Sequence, residues 1–151
     1  MKNRERFLLA VDGSKASIRA VKYVGKFASL MDNVEICILN VYPEPPPDYY
    51  SNGGILNTYV AMREERAAQM FKEARTILLE AGVQEKQLSQ LVRIAEGKTI
   101  SEEVLAVQAE GYYGTVVAGK RGVSKAEEFL FGSISNALAR HSKHFTSWIV
   151  G

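Results

Sequence analysis

The segment Gly114-Thr-Val-Val-Ala-Gly-Lys-Arg-Gly122 leads from a short apolar run into a glycine-containing turn, and Gly132-Ser133 follows after nine further residues. Glycine lets the backbone come close to an oxyanion and adopt dihedral angles that other residues resist. A helix that begins at such a turn offers unpaired N–H groups and the positive end of its dipole. The spacing therefore predicts a strand, a phosphate-binding loop and a helix. The alternative is that these glycines only shape turns and allow close packing.

The size and composition of the chain indicate one soluble domain over residues 1–151. The hydrophobic fraction of 46% and the charged fraction of 24% are ordinary for a globular protein, and 151 residues are enough for a substantial core. A net charge of +2 does not suggest nucleic-acid binding. The single cysteine, Cys37, lies in an apolar run, so we expect a buried thiol and a reducing compartment.

No targeting or membrane segment is predicted. The first apolar run, Phe7–Val11, is too short for the core of a signal peptide, and no stretch reaches the length of a membrane span. We therefore expect a cytoplasmic protein without membrane insertion.

Apolar runs alternate with segments of helical periodicity along the whole chain. The predicted strands are Phe7–Val11, Val34–Tyr42, Leu88–Ala95, Gly114–Ala118 and Thr146–Val150. The predicted helices run from Ser14 to about Met31, from Thr58 to Ala81, from Thr99 to about Gly111 and from Ser133 to Ser142. This alternation predicts an α/β fold with a parallel sheet that has helices on both faces.

Local signals support several of these helix ends. Ser14 and Thr99 are expected N-caps, and Glu102 would complete a capping box with Thr99. Gly82 is expected to end the long helix, whose predicted buried stripe contains Met62, Met70, Ala74, Ile77 and Ala81. The segment 43–57 holds all four prolines of the chain and is predicted to be a flexible loop.

In a parallel sheet, ligands bind beyond the carboxyl ends of the strands, where the strand order reverses. Three predicted strands end at distinctive residues, namely Asp12, Val41 and Gly119. We expect these residues to converge on one site.

With these motifs in place, the chain resembles the universal stress protein family of the ATP-binding type. Gly119, Gly122, Gly132 and Ser133 match the family's phosphate pattern Gly-x2-Gly-x9-Gly-Ser/Thr position by position. Ala10–Ser17, Ile38–Tyr42 and Glu96-Gly97 are similar to its first strand and turn, its second strand and its Glu-Gly segment. There are departures, since Asn40 stands where the family often has His, and Phe145 where it often has Pro.

The resemblance implies a single Rossmann-like domain of the adenine nucleotide alpha hydrolase-like type. Its five parallel strands would lie in the order 3-2-1-4-5, and the protein would form a homodimer through the last strand, 146–150. The resemblance further implies that ATP, or another adenine nucleotide, binds with Mg²⁺. The nucleotide-binding residues carried over are Ala10, Asp12, Val41, Gly119, Lys120, Arg121, Gly122, Val123, Ser124, Lys125, Gly132, Ser133, Ile134 and Ser135.

The residues leave the roles of several of these positions open. Asp12 can face the Mg²⁺ of the nucleotide or simply fix the turn to Ser14. Lys120, Arg121 and Lys125 can contact phosphates or be ordinary solvated charges. No cluster of protein side chains with metal-ligand spacing is predicted, and His141 is expected to favour a helix C-terminus instead.

No catalytic constellation is apparent in the sequence. It has no P-loop Gly-Lys-Ser/Thr motif and no Ser/His/Asp arrangement placed by a recognisable motif. We therefore expect a nucleotide-dependent regulatory module of the stress response, with an unidentified protein partner and at most weak ATP hydrolysis. The alternatives are a slow ATPase or phosphotransferase that uses the same site, and an interaction protein of the same fold that binds no nucleotide.

Overall fold

The structure, a computed structural model, describes residues 5–120 and 134–151. These residues form one five-stranded sheet in the order β3-β2-β1-β4-β5, and every pair of neighbouring strands is parallel. The predicted fold class and strand order are confirmed. The strands are β1 (Arg6–Ala10), β2 (Glu35–Pro43), β3 (Leu88–Ala95), β4 (Thr115–Gly119) and β5 (Thr146–Val150).

Helices connect the strands. They are α1 (Lys15–Ala28), α2 (Pro47–Ser51), α3 (Leu56–Glu80), α4 (Ile100–Gly111) and α5, of which residues 134–141 are described. A short 3₁₀ turn, Glu85–Gln87, precedes β3. Within the described ranges, no helix is both long and apolar enough to cross a membrane.

The sheet separates two apolar layers. Ile36 and Ile38 of β2 pack in one layer with α1 and α3, whereas Cys37 and Leu39 pack in the other with α4 and α5. This alternation follows from the pleat, which directs successive side chains to opposite faces. Cys37 is buried, as predicted.

The predicted caps are present. The Ser14 hydroxyl accepts a hydrogen bond from the Ser17 N–H at 3.1 Å, which begins α1. The Thr99 hydroxyl accepts from the Glu102 N–H at 3.1 Å, and the Glu102 carboxylate accepts from the Thr99 N–H at 2.8 Å. Gly82, with φ of +106°, follows the end of α3 in a conformation that favours glycine. These four residues set where α1, α3 and α4 begin or end.

Helix α4 ends at Gly111, as predicted, and the left-handed residue that follows it is Tyr112, with φ of 53°. A Cβ at position 111 would overlap the ring of Tyr113. Gly111 is therefore needed for the packing of that ring rather than for the turn.

The buried stripe of α3 includes Ala74, as predicted, but is otherwise offset from the predicted one. Met62 is exposed, and the buried residues are Tyr59, Ala67, Phe71, Ala74 and Leu78. Tyr59 is buried because its ring packs against those of Tyr42 and Tyr49. Within the segment 43–57, predicted as a loop, α2 forms a short helix.

Candidate functional site

A crevice opens at the carboxyl ends of β1 and β4. These two strands are neighbours, but the chain leaves β1 toward β2 on one side and reaches β4 and then β5 on the other, so the strand order reverses between them. Such a reversal leaves a gap in which ligands of open α/β sheets bind. The described residues that line it are Ala10, Val11, Asp12, Ser17, Leu39, Val41, Ile100, Val104, Ala118, Gly119 and Ile134.

One wall of the crevice is apolar. Ala10 and Val41 are partly buried where β1 and β2 end, and Ile100 and Val104 close the wall from the first turns of α4. Ile134 of α5 completes it. A flat apolar group such as a purine ring suits a wall of this kind, since ligand sites are mostly apolar with a few polar groups that fix orientation.

The polar part of the crevice lining is formed by the turn after β1 and the start of α1. The Asp12 carboxylate accepts a hydrogen bond from the Ser14 N–H at 2.9 Å, and the Asp12 N–H donates to the Ser17 hydroxyl at 3.2 Å. Gly13 between them has φ of +80°, which only glycine adopts readily. The carboxylate of Asp12 therefore fixes the turn, and it lies beside the crevice as well.

Gly119, at the end of β4, allows α1 to approach the sheet. A Cβ at this position would lie 2.8 Å from the Ser17 nitrogen and closer still to the carbonyl group of Ala16. The absence of a side chain thus permits close packing of β4 against the first turn of α1. For Gly119 the packing interpretation holds, and it is compatible with a place in the crevice wall.

Asn40 supports the site from the other face of the sheet. Its side chain is buried, and its amide group donates to the Val11 carbonyl oxygen at 2.8 Å and lies 3.4 Å from the Met70 sulfur. This bond holds the last residue before the Asp12 turn against β2 and α3.

The structure brings together only part of the predicted site. Ala10, Asp12, Val41, Gly119 and Ile134 line the crevice. Lys120 is exposed, and its N–H donates to the Val150 carbonyl oxygen, which joins β4 to β5. The remaining predicted residues, Arg121, Gly122, Val123, Ser124, Lys125, Gly132 and Ser133, lie outside the described residues.

Ser135 is a special case among the predicted residues. It is buried in the first described turn of α5, and its hydroxyl oxygen has no hydrogen-bond partner within the described part of the chain. A buried hydroxyl without a partner costs about 1–3 kcal/mol, so a group that satisfied it would be stabilised there.

The sequence analysis missed several residues that line the crevice. They are Val11, Ser17, Leu39, Ile100, Val104 and Ala118. Ala118 and Leu39 lie in strands that the sequence analysis had identified, so their positions in the sequence carried a signal. Ile100 and Val104 did not, because only the packing of α4 brings them to the crevice.

Charged groups surround the neighbouring turn between β3 and α4. Gly97, with φ of +63°, donates its N–H to the Glu44 carboxylate at 3.1 Å. The hydrogen bond from Lys98 to the buried Glu103, with an N–O distance of 2.9 Å, raises the pKa of Lys98. These contacts tie the first turn of α4, which carries Ile100, to the ends of β2 and β3. In residues 5–120 and 134–151, no group of His, Cys, Asp and Glu side chains is arranged to hold a metal ion.

The sequence and the fold have counterparts in known proteins. A sequence profile of the universal stress protein family matches residues 3–144. The fold is similar to a universal stress protein from Burkholderia pseudomallei, with 16% identity, a TM-score of 0.73 and coverage of 97% of this chain and 95% of that one. None of the curated proteins compared with the chain matches it.

Two further structures of this fold contain nucleotides. One is a universal stress protein in complex with cAMP, with 22% identity, a TM-score of 0.64 and coverage of 97% of this chain and 95% of that one. The other is a universal stress protein family protein from Arabidopsis thaliana with AMP bound, with 13% identity, a TM-score of 0.62 and coverage of 97% and 92%. At these identities the likeness shows a shared fold.

Proposed function

Because the chain belongs to the universal stress protein family, we propose that it binds an adenine nucleotide, ATP with Mg²⁺, and acts as a nucleotide-dependent regulatory module in the stress response. The observation that carries the proposal is the crevice between β1 and β4, whose lining combines an apolar wall with the Asp12 turn. The complexes of two similar folds with cAMP and AMP support the adenine base.

In this proposal the adenine ring lies against Ala10 and Val41, which border the apolar wall. The phosphates are bound by the pattern that begins at Gly119 and ends at Gly132-Ser133, together with Lys120, Arg121 and Lys125. Ser135, whose buried hydroxyl has no hydrogen-bond partner among the described residues, lies two residues beyond that pattern. Asp12 faces the Mg²⁺ that accompanies the phosphates.

Isothermal titration calorimetry tests the proposal. We expect ATP to bind in the presence of Mg²⁺ and GTP to bind more weakly. Ala10→Leu should reduce the ATP affinity at least tenfold because the larger side chain fills the crevice. Ala109→Leu, on the exposed side of α4, is the matched control and should leave the affinity unchanged. Absence of ATP binding at millimolar concentration would contradict the proposal and favour the nucleotide-free alternative.

A second pair of variants tests the glycine pattern itself. Gly132→Val should abolish ATP binding, because a branched side chain blocks the approach of the backbone to a phosphate. Ser133→Ala should weaken binding less, since one neutral hydroxyl hydrogen bond contributes about 0.5–1.5 kcal/mol. Circular dichroism checks that both variants are folded. ATP binding by a folded Gly132→Val with the parent affinity would show that the glycines only shape the turn.

We propose binding without efficient turnover, since the sequence offers a phosphate cradle but no recognisable catalytic base. Phosphate release from ATP, measured in the parent and in Gly132→Val, distinguishes nucleotide binding without turnover from the slow ATPase alternative.

We further propose a cytoplasmic homodimer that pairs through β5 and regulates a protein partner. The dimer is supported by the sheet order, which leaves β5 at an edge of the described sheet.

A further inference from the structure

An aromatic cluster lies where α1 packs over β5, away from the nucleotide crevice. The ring of Trp148 packs edge to face against Tyr23 and Phe27, with centroid distances of 5.7 and 5.9 Å. The ring centroids of Tyr23 and Phe27 are 4.8 Å apart, and the ring of Phe7 packs against that of Trp148 with a centroid distance of 5.1 Å. The rings therefore hold one another in fixed positions.

This cluster is exposed on its outer side. Tyr23 and Phe27 are each 42% exposed, and Leu30, beyond the end of α1, is 83% exposed. Adjacent exposed apolar side chains mark binding surfaces more often than scattered ones do. Aromatic residues are enriched in the centres of protein interfaces. We call Tyr23, Phe27, Trp148 and Leu30 the aromatic surface.

The helix that carries Tyr23 and Phe27 is cationic. Helix α1 contains Lys15, Arg19, Lys22 and Lys26 and no acidic residue. Within the described part of the chain, none of these four cations forms an ion pair with an Asp or Glu side chain. Arg19 donates a hydrogen bond to the Gly151 oxygen at 3.2 Å, and Lys22 lines a groove between α1 and α3 together with Lys72 and Glu73.

The cationic character is local to α1, whose 14 residues include four cations and no acidic side chain. The whole chain has a net charge of only +2, so the remainder of the molecule is net acidic. A partner of complementary charge would be steered toward this surface.

We propose that the aromatic surface and the cations of α1 bind an acidic, amphipathic helix of a partner protein. Apolar side chains of that helix contact Tyr23, Phe27 and Leu30, and its carboxylates pair with Lys22 and Lys26. The arrangement has an apolar centre with a charged rim, as protein interfaces do.

Other occupants fit the surface less well. A lipid bilayer requires apolar side chains that reach below the headgroups, whereas Tyr23 and Phe27 are held half-buried by the ring cluster. Single-stranded nucleic acid requires free ring faces for stacking, and these rings pack against one another. A second copy of the same surface would bring Lys22 and Lys26 against their own like charges.

The single tryptophan makes the proposal testable, because Trp148 fluorescence reports on the aromatic surface, and light scattering of the same samples shows whether the subunit contact proposed through β5 has changed. The probe is a synthetic, tryptophan-free helical peptide of 18 residues with leucines along one face and glutamates beside them. We expect it to change the Trp148 emission and to bind at least tenfold more tightly than the same peptide with glutamine for glutamate. The affinity should fall as the salt concentration rises.

Variants of the protein locate the contact. Lys22→Glu should weaken peptide binding at least tenfold, whereas Lys86→Glu, an exposed charge reversal on the 3₁₀ turn, should change it less than twofold. Leu30→Ser should weaken binding with no loss of fold, and Leu79→Ser on α3 is its control. Circular dichroism confirms that each variant is folded.

The proposal would be overturned by equal binding of the glutamate and glutamine peptides, or by unchanged peptide affinity in Lys22→Glu. It would also be overturned if vesicles of anionic phosphatidylglycerol or a thymidine oligonucleotide bound this surface more tightly than the peptide. Nucleotide is absent from all these titrations, so their outcome is independent of the function proposed for the crevice.

Discussion

At the scale of single residues, the crevice depends on side chains that brace the turn after β1 from two directions. Ser17 accepts the Asp12 N–H from within α1, and Asn40 donates to the Val11 carbonyl from the far face of the sheet. The peptide group that joins Val11 to Asp12 is thus held at both its C=O and its N–H before any ligand arrives. Preorganised groups of this kind reduce the ordering that binding requires.

Asn40 offers a direct test of this bracing. Asn40→Leu leaves the Val11 carbonyl oxygen without its side-chain donor, and we expect the free energy of unfolding to fall by about 1–3 kcal/mol. Urea denaturation monitored by circular dichroism measures the change. Asn57→Leu, at an exposed position of α3, is the matched control. An unfolding midpoint in Asn40→Leu equal to that of the parent would mean that the bond contributes nothing.

Tyr113, at the other end of the sheet, should make the free energy of unfolding depend on pH. Burial of the phenol, and next its hydrogen bond with Cys37, raise the pKa of Tyr113 to about 12 from the usual 10.0. The unfolded chain therefore loses this proton first as the pH rises. The stability that the neutral phenol contributes is complete below pH 10 and is lost between about pH 10 and 12.

The expected result is a fall in stability from pH 9 to pH 11 that is smaller in Tyr113→Phe than in the parent. Chemical denaturation at the two pH values measures the fall in the free energy of unfolding. The parent and the variant share the other six tyrosines, so the difference between their falls is due to Tyr113. Equal falls in both proteins would show that the phenol of Tyr113 ionises as readily in the folded state as in the unfolded one.

At the scale of helices and strands, the sequence predicted most of the architecture. β3 and β5 have the bounds expected from their apolar runs, and β1, β2 and β4 are displaced by about a residue. Capping chemistry placed the starts of α1 and α4, because Ser14, Thr99 and Glu102 act through local hydrogen bonds. Local signals of this kind need no knowledge of the rest of the fold.

The buried face of α3 could not be predicted from its own sequence. The helix carries apolar residues on more than one face, and the choice between Met62 and Tyr59 depends on aromatic rings from β2 and α2. The same limit applied to the crevice, where Ile100 and Val104 arrive only through the packing of α4 on the sheet. Tertiary contacts decide such positions.

Gly119 lies both at the contact between β4 and α1 and in the wall of the crevice. Gly119→Ala should destabilise the fold by about 1–3 kcal/mol, since the added methyl group forces α1 away from β4. We expect a lower thermal midpoint by calorimetry, with any loss of ATP affinity arising from the shifted helix. Ala118→Gly at the preceding position, which removes a methyl group instead of adding one, shows whether the effect is one of overcrowding. A midpoint equal to that of the parent in Gly119→Ala would contradict the packing role.

At the scale of the whole molecule, the two ends of the sheet differ in what they leave exposed. β3 is flanked by α3 and α4 and tied to the latter through the ion pairs of Arg93 with Glu103 and Glu110. β5 has the aromatic surface beside it and no strand beyond it in the described sheet. The two protein contacts that we propose therefore lie at the β5 end, whereas the crevice proposed to bind a nucleotide lies at the middle of the sheet.

The proposed dimer can be tested through the main chain of β5. The Thr146 N–H donates to the Gly114 carbonyl oxygen and the Val150 carbonyl accepts from Lys120, so the even-numbered residues of β5 pair with β4. Along a parallel strand, the N–H and C=O groups of alternate residues point to opposite sides. The N–H of Ile149 consequently faces the open edge and is available to a second copy of the chain.

Ile149→Pro removes that outward N–H without touching the hydrogen bonds to β4, and proline is tolerated at a sheet edge in this orientation. We expect the parent to be a dimer by light scattering and the variant to have the mass of a monomer, 16.7 kDa. Ile149→Ala keeps the N–H while shortening the side chain, so it should remain dimeric if main-chain pairing joins the subunits. A dimeric Ile149→Pro with a monomeric Ile149→Ala would instead assign the interface to side-chain packing, and a monomeric parent at micromolar concentration would contradict the dimer itself.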